Sequence, residues 1–370
     1  MPPPTFVPQI ARQFSQKRRT VKAAVCPVRM ATPNARKTVV ANRLRDVFLD
    51  PKSGSARYET VFLDQFGVVH DGQTPYPSAV QCIGTLATEY GVRIVVLSNS
   101  SRRATHAIEK LRDSFGVHPD WIFGVVTSGE VAHCLLEGRG KRAKDMLGLE
   151  LGARVLHTNW SERGRIQLNE AFEPVGTDTD RTDFVLTHGV EGVSVREADA
   201  DAVLRMAFPE MLALMRNAAK NDRPLLCANP DMVTVDGGQL RDMPGKLAAE
   251  YERHGGPVYR LGKPEAIAYQ FACQMLTEST GEVIDRSSIL AIGDSMQHDI
   301  AGACAFGIDS CYIAGGINAE AFGLKADPSI PSTEWGIPDV SVAETVAEIA
   351  RIETTSSCSP TYSIPFFRWD

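Results

Sequence analysis

The chain has no paired-cysteine motif, although cysteine itself is not rare in it. Its eight cysteines are Cys26, Cys82, Cys134, Cys227, Cys273, Cys304, Cys311 and Cys358. Because none forms a CxxC pair or lies near paired histidines, the pattern argues against a zinc site and a disulfide framework, and favours a reducing compartment. No run approaches about 18 consecutive apolar residues, so no membrane-spanning helix or membrane partner is expected.

Acidic residues are absent from the first 45 positions, which carry ten of the 39 Lys and Arg residues. The other positions carry 29 Lys and Arg against 45 Asp and Glu, a net charge of −16. A chain this acidic repels nucleic-acid phosphates unless a local basic patch compensates, so nucleic acid is not an expected partner.

The acid-poor, Arg-rich beginning is typical of an organelle transit peptide, which we predict over residues 1–44. Chloroplast import is favoured over mitochondrial import. A disordered basic tail on a cytoplasmic protein is the alternative.

Past this segment, strand-like and helix-like patterns alternate. Val92–Leu97 is a nearly continuous apolar run of strand length, as expected when both faces of a sheet are covered. Further strands are predicted at Tyr58–Leu63, Trp121–Val126, Ser288–Ile292 and Ser310–Ile313, with helices at Ala79–Tyr90, Thr105–Phe115 and Asp299–Phe306. The alternation implies right-handed crossovers, so the predicted fold is α/β with a parallel, Rossmann-like sheet.

A stretch of different texture interrupts this alternation over residues 128–255. It contains a long helical pattern at Ala198–Ala219, kinked or broken at Pro209, and strands at Phe184–Leu186 and Leu225–Cys227. We interpret it as an α/β cap domain inserted into a core of residues 45–127 and 256–352. Residues 353–370 are predicted to be a partly ordered tail.

Four short segments place polar residues where predicted strands end. They are FLDQFGV with Asp64, VVLSNSS with Ser98 and Asn99, RLGKPEA with Lys263, and ILAIGDSMQHDIAGA with Asp294 and Asp299. Each residue alone has a structural explanation as a turn former or helix cap. In a parallel sheet, however, these strand ends face one crevice, where such folds bind ligands.

The residue types suit phosphoryl transfer. Asp64 and Asp294 can hold one Mg²⁺, which prefers a few carboxylates and several waters. A carboxylate that attacks phosphorus needs the phosphoryl charge neutralised, and Lys263 with the Ser98 hydroxyl and nearby backbone N–H groups can do this.

This set of motifs resembles the haloacid dehalogenase-like (HAD) superfamily, in which a strand-end Asp forms an aspartyl-phosphate. The DxxGVxxxG pattern from Asp64, TSGEVA after the third strand and ANPD at 228–231 resemble the class IIA members with a C2 cap. Those members include sugar-phosphate, nitrophenyl-phosphate and phosphoglycolate phosphatases. The resemblance spans about residues 58–318.

The resemblance implies a role for each matched residue. The roles are nucleophile for Asp64, phosphate binding for Ser98 and Asn99, charge neutralisation for Lys263, metal binding for Asp294 and the Phe66 carbonyl, and support of the metal or lysine site for Asp299. In the cap, Asn229 and Asp231 are candidates to reach the substrate, and a polar strand-to-loop turn is the equally weighted alternative.

Phe66 departs from the family pattern, in which a second Asp protonates the leaving oxygen and activates water. Such acid–base groups typically contribute about 10²–10⁴-fold. A substrate with a good leaving group, a substitute residue, or binding without useful turnover would each accommodate this loss. Among the substitutes His70 is the more attractive, because His titrates near neutral pH, but a solvent-exposed loop histidine is the favoured interpretation of this residue. His298 is also a candidate but is expected to face solvent.

We therefore expect a Mg²⁺-dependent phosphohydrolase that acts on a small soluble phosphorylated metabolite through an aspartyl-phosphate at Asp64. The alternative is a weakly catalytic or non-catalytic metabolite-binding protein, because of Phe66. The cap-sized insertion disfavours a receiver-like phosphoacceptor, and the acidic metal pair disfavours a dehalogenase. Substrate identity is left open, as is a homodimer formed through the cap.

Overall fold

A computed structural model describes residues 38–136, 152–161, 166, 172–197, 200–236, 239–324 and 358–370. Its strands are β1 (Val39–Val40), β2 (Thr60–Leu63), β3 (Arg93–Ser98), β4 (Gly124–Thr127), β5 (Arg154–Asn159), β6 (Glu173–Pro174), β7 (Phe184–Thr187), β8 (Gly192–Glu197), β9 (Ala200–Arg205), β10 (Leu225–Cys227), β11 (Val233–Asp236), β12 (Gln239–Asp242), β13 (Val258–Arg260), β14 (Ile289–Gly293), β15 (Asp309–Ile313) and β16 (Tyr362–Ile364). Its α-helices are α1 (Leu44–Phe48), α2 (Pro77–Thr88), α3 (Ala104–Asp113), α4 (Ser128–Leu136), α5 (Phe208–Ala219), α6 (Pro244–Arg253), α7 (Ala266–Thr280) and α8 (Ala301–Phe306).

The first sheet is parallel throughout and has the order β1-β16-β15-β14-β2-β3-β4. Its central strands are apolar on both faces. In β3, Ile94 and Val96 belong to one hydrophobic cluster, while Val95 and Leu97 belong to another on the opposite side. This confirms the predicted parallel α/β core, since a strand covered on both faces has no polar face to alternate with.

The two ends of the described chain complete this sheet. β16 lies between β15 and β1, and the Thr38 hydroxyl donates to the carbonyl of Pro360 at 2.8 Å. Of the predicted tail at 353–370, residues 358–370 are described, and Phe366 and Phe367 are buried and anchor that segment. Residues 1–37 of the predicted transit peptide lie outside the described residues, whereas β1 falls within the 1–44 range.

The second sheet forms the predicted inserted unit and has the order β13-β10-β7-β5-β8-β9, with β6 beside β5. It begins after α4 and ends with β13, which lies beyond the predicted boundary at residue 255. α5 and α6 pack on it through a buried cluster that includes Met215, Leu247 and Tyr251. A short antiparallel pair, β11 and β12, lies outside both sheets.

The long helix predicted over Ala198–Ala219 was wrong in its first half. β8 and β9 form an antiparallel hairpin there, and the helix comprises only Phe208–Ala219. Pro209 lies in the first turn and begins the helix instead of kinking it, because its missing N–H costs nothing at that position.

The sheets share one hydrophobic cluster, which includes Leu97 of β3, Val131 of α4 and Leu186 of β7. The chain leaves the core through α4 and returns from β13 through a loop that carries Lys263. That loop contains a cis Lys263–Pro264 peptide bond. Among the described helices, none is both long enough and apolar enough to cross a bilayer.

A disulfide joins Cys304 of α8 to Cys358, 54 positions later. The interpretation that the cysteines form no disulfides is corrected for this pair. No spacing motif marks it, because the two residues meet only when β16 docks beside β15. Five other described cysteines form no disulfide: Cys82, Cys134, Cys227, Cys273 and Cys311.

Candidate active site

Three adjacent strands of the core sheet deliver the predicted site residues to one edge. β2 lies between β14 and β3, so Asp64, Asp294 and Ser98 follow or end neighbouring strands. The Asp64 N–H donates to the carbonyl of Ile292 at 2.9 Å, which continues the β2–β14 pairing up to the site. The parallel sheet thus gathers residues that are more than 200 positions apart in sequence.

Lys263 is the cation of this site. Its Nζ lies 2.6 Å from Asp64 Oδ1 and 2.6 Å from Asp299 Oδ1, and its side chain is 4% exposed. Burial disfavours the ammonium, but the carboxylates of Asp299 and Asp64 outweigh it and raise the pKa of Lys263 above its ordinary value. Lys263 is therefore charged wherever the site operates.

Asn99 holds the lysine loop in place. Its Oδ1 accepts from the Lys263 backbone N–H at 2.7 Å, and its Nδ2 donates to the Lys263 carbonyl at 3.1 Å and to Asp231 Oδ1 at 2.8 Å. Both amide N–H groups are committed, so Asn99 positions Lys263 and is not free to donate to phosphate.

Asp294 lies in a cradle that glycines make possible. Its Oδ2 accepts from the Ile317 N–H at 2.7 Å. A Cβ on Gly67 would come within 1.9 Å of Asp294 Oδ2, and one on Gly316 within 2.2 Å of it. The Ile317 contact was missed by sequence reasoning, although the consecutive glycines after β15 were a signal for close backbone approach.

The arrangement fits a hard divalent cation. Oxygens of Asp64, Asp294 and Asp299 all lie within 4.8 Å of one another, and Lys263 pairs with two of these carboxylates. Burial, with repulsion from Asp299, raises the pKa of Asp64 to about 7 despite Lys263, and burial with repulsion from Asp64 raises that of Asp294. Such crowding of hard oxygen donors is what a divalent metal relieves.

Particular carboxylate oxygens of this cluster would bind the metal ion. Asp299 Oδ1 accepts from Lys263 and its Oδ2 from the Ser295 N–H at 3.1 Å, so this carboxylate supports the lysine. Asp64 uses Oδ1 for Lys263 and Asp294 uses Oδ2 for the Ile317 N–H, so Asp64 Oδ2 and Asp294 Oδ1 would hold the ion with the Phe66 carbonyl.

We predict that Gly67→Ala selectively weakens the binding of Mg²⁺. Gly67 has φ +77°, and its new Cβ would displace the Asp294 carboxylate. We expect the Mg²⁺ concentration for half-maximal turnover to rise about 10–100-fold. Gly54→Ala is the matched control, because φ is +71° there with nothing within 4 Å of the new Cβ. An equal change in both variants would attribute the effect to backbone strain alone.

Ser98 lies at the end of β3, half-buried beside the acidic cluster. Its Oγ accepts from the Ser100 N–H at 3.3 Å, and its carbonyl accepts from Ser128 Oγ at 3.5 Å. The hydroxyl proton of Ser98 therefore remains available for a phosphoryl oxygen.

His70 does not match the loop histidine considered from sequence. It is buried and stacks on Phe115 with ring centroids 4.1 Å apart, and its Nδ1 accepts from the Gly72 N–H at 2.9 Å. Burial, followed by the charge of Lys110, lowers the pKa of His70 to about 3. His70 is thus a neutral structural residue beneath Phe66, whose ring meets it edge-on at 6.1 Å.

The cap candidates separate into two roles. Asn229 is buried and its Oδ1 accepts from the Asp231 N–H at 3.0 Å, which is the turn that the alternative reading proposed. Asp231 Oδ1 reaches the core, where it contacts Asn99 and lies 3.4 Å from His298 Nδ1. His298 therefore faces the cap rather than open solvent, contrary to expectation.

Models of known protein families match the parts of the chain that carry these site residues. The model of the haloacid dehalogenase-like hydrolases matches residues 61–153, and a second model, described as HAD-hydrolase-like, matches 260–341. These ranges hold the Asp64 and Ser98 strand ends in the first case, and Lys263, Asp294 and Asp299 in the second. The chain belongs to the haloacid dehalogenase-like hydrolases.

Relatives of this HAD-like chain include the D-glycerol 3-phosphate phosphatase of Mycobacterium tuberculosis (strain ATCC 25618 / H37Rv). It is 26% identical over 283 residues, covering 75% of this chain and 69% of that protein. A haloacid dehalogenase-like hydrolase from Brucella suis 1330 superposes with a TM-score of 0.59 at 24% identity, covering 88% of this chain and 98% of that one.

A glycerol phosphate phosphatase from Mycobacterium tuberculosis, solved in complex with calcium, gives a TM-score of 0.50 at 23% identity. The match covers 72% of this chain and 68% of that one. At these identities the solved structures show the shared fold.

Proposed function

We propose that this HAD-like chain is a Mg²⁺-dependent phosphatase that hydrolyses a small phosphorylated metabolite through an aspartyl-phosphate at Asp64. The observation that carries the proposal is the buried Asp64–Lys263–Asp299 chain beside Asp294 at one edge of the sheet. A fixed ammonium next to a strand-end carboxylate supports attack on a phosphoryl group and has no evident structural need.

In the proposed reaction, Asp64 attacks phosphorus while Lys263 neutralises the charge on the phosphoryl oxygens. Ser98 Oγ donates to one of those oxygens, and Asp299 keeps Lys263 aimed at the site. Asp64 and Asp294 would hold Mg²⁺, which when bound would supply further charge neutralisation. Asn99 fixes the backbone on which Lys263 stands.

The substrate proposed is a small, soluble phosphate monoester. The curated relative named for glycerol 3-phosphate supports polyol and short-chain phosphates as the first substrates to test. Asp231, which enters the site from the cap, is the proposed contact for a polar group of the substrate. Import into an organelle and self-association through the cap stay predictions.

A screen of the full chain against phosphate esters tests the proposal. The set would contain glycerol 3-phosphate, phosphoglycolate, sugar phosphates and p-nitrophenyl phosphate, each with Mg²⁺ and after chelation. We expect turnover of at least one ester and a loss of at least about 100-fold on chelation, since a bound metal supplies several kcal/mol. Absence of turnover, with a phosphorylated ligand raising the melting temperature, would support a binding protein instead.

A further inference from the structure

Phe66 leaves the proposed phosphatase without a proton donor beside the leaving oxygen. The charged side chains of the site already have proposed roles: Asp64 would attack, Asp294 would hold the metal, and Asp299 and Lys263 are paired. An alkoxide is a poor leaving group and needs a proton as its bond to phosphorus breaks. The water that hydrolyses the phosphoenzyme must lose a proton.

His70 is unsuited to this work because of its geometry. Its ring stacks on Phe115, and its Nδ1 accepts a hydrogen bond from the Gly72 N–H. The side chain is 5% exposed, so it neither reaches the opening of the site nor exchanges protons readily with water there.

His298 lies where the core meets the cap, with Nδ1 3.4 Å from Asp231 Oδ1. It lies on the π-helical turn Met296–Ile300, where its N–H donates to Ser295 Oγ at 3.2 Å. Its side chain is 27% exposed and that of Asp231 is 31% exposed, so both are partly accessible to solvent.

A carboxylate orients the His298 ring. Nδ1 lies 3.4 Å from Asp231 Oδ1, which also accepts from Asn99 Nδ2 at 2.8 Å. Asn99 in turn holds the backbone of Lys263, so the pair is connected to the phosphoryl site through direct contacts.

We propose that His298 is the proton donor and acceptor that replaces the acid lost at Phe66, with Asp231 as its positioning residue. The inference rests on the phosphatase function proposed above. A histidine with one nitrogen on a carboxylate presents its other nitrogen to the reacting atoms, and the carboxylate stabilises the imidazolium. Here Nδ1 faces Asp231, which leaves Nε2 for the substrate.

Two proton transfers follow. As Asp64 forms its bond to phosphorus, the bond from phosphorus to the leaving oxygen breaks, and that oxygen takes the proton from Nε2 of the His298 imidazolium. The alcohol departs and His298 is neutral. Water then attacks the aspartyl-phosphate while Nε2 takes a proton from it, the Asp64–phosphorus bond breaks, and inorganic phosphate leaves.

The test compares two esters that differ in their need for a proton. Phenyl phosphate has a leaving group with a pKa of about 10, like tyrosine, whereas p-nitrophenolate departs readily without protonation. We expect His298→Asn to lower kcat/KM at least about 100-fold for phenyl phosphate and less than about tenfold for p-nitrophenyl phosphate. Slower hydrolysis of the phosphoenzyme should also produce a burst of one equivalent of p-nitrophenol.

A second carboxylate should rescue the variant. Phe66→Asp combined with His298→Asn should recover phenyl phosphate kcat/KM at least about tenfold, because the new acid makes His298 redundant. His298→Gln serves as an independent variant, and His118→Asn is the control, since an Asn there still accepts from the Asp120 N–H as His118 does at 3.3 Å.

The outcomes discriminate between the two proposals. Absence of wild-type turnover on both esters overturns the phosphatase proposal and this inference with it. Wild-type turnover that both His298 variants leave unchanged overturns this inference alone. An equal loss on both esters, with neither a burst nor a rescue, would mean that His298 only shapes the site, which also overturns it.

Discussion

Asp64→Asn is expected to abolish turnover on every ester, by at least about 10⁴-fold, because it removes the atom that would bond to phosphorus. Asn is nearly isosteric with Asp, so the site keeps its shape. Initial rates with Mg²⁺, together with acid quenching to trap a phosphoenzyme, provide the measurement. Asp71→Asn is the matched control, because Asp71 only accepts the Gln73 and Thr74 N–H groups of its own loop.

The same substitution should not lower stability, which separates loss of chemistry from loss of fold. Asp64 is one of three clustered carboxylates, and burial raises its pKa, so the charged form is disfavoured there. With Asn at 64, Lys263 keeps Asp299 as its partner. Without metal, the melting temperature should stay the same or rise. Turnover that survives in Asp64→Asn would contradict the aspartyl-phosphate mechanism.

Reduction of the Cys304–Cys358 disulfide is expected to destabilise the core by up to about 4 kcal/mol. The disulfide closes a loop of 54 positions, and opening it returns that entropy to the unfolded chain. Urea unfolding with and without dithiothreitol measures the effect. Cys304→Ala/Cys358→Ala is the control, since it should show the same loss and then be insensitive to the reductant. If dithiothreitol leaves the free energy of unfolding of the wild-type protein unchanged, the prediction is contradicted.

The disulfide should also affect the metal site, because Cys358 begins the segment that carries β16. After β16, the Pro365 carbonyl accepts from the Gly315 N–H at 2.7 Å, and the Ile317 N–H two residues on binds Asp294. Reduction should therefore raise the Mg²⁺ concentration needed for half-maximal turnover before the protein unfolds. Such a linkage would make activity depend on the redox state of this pair.

The parallel core and most of the site could be predicted from local patterns. Continuous apolar strands such as Val92–Leu97 can be stable only when covered on both faces, and the punctuated strand ends after them place Asp64 and Asp294 at one edge. Lys263 followed from its motif, between Gly262 and Pro264. These features are encoded within a few residues, so reading the chain segment by segment recovers them.

Prediction failed where the local sequence pattern was compatible with two different structures. The stretch at 198–219 contains both a two-residue and a helical periodicity. Its first half forms strand β9 because it pairs with β8, which in turn pairs with β5. The place of β16 in the core sheet could not be predicted locally, because its partners, β15 and β1, lie far away in sequence. Long-range pairing supplied the missing information in both places.

The residues themselves predicted a phosphoryl-type site, because the proposed nucleophile, cation and metal acids each carry their own short motif. Only the tertiary structure decided what surrounds them. It buried His70 against Phe115, brought His298 to Asp231 across the cap boundary, and tied Cys358 to α8. The physical reason is that burial and contact between distant segments set the protonation, orientation and reach of a side chain, and neither is a property of its neighbours in sequence.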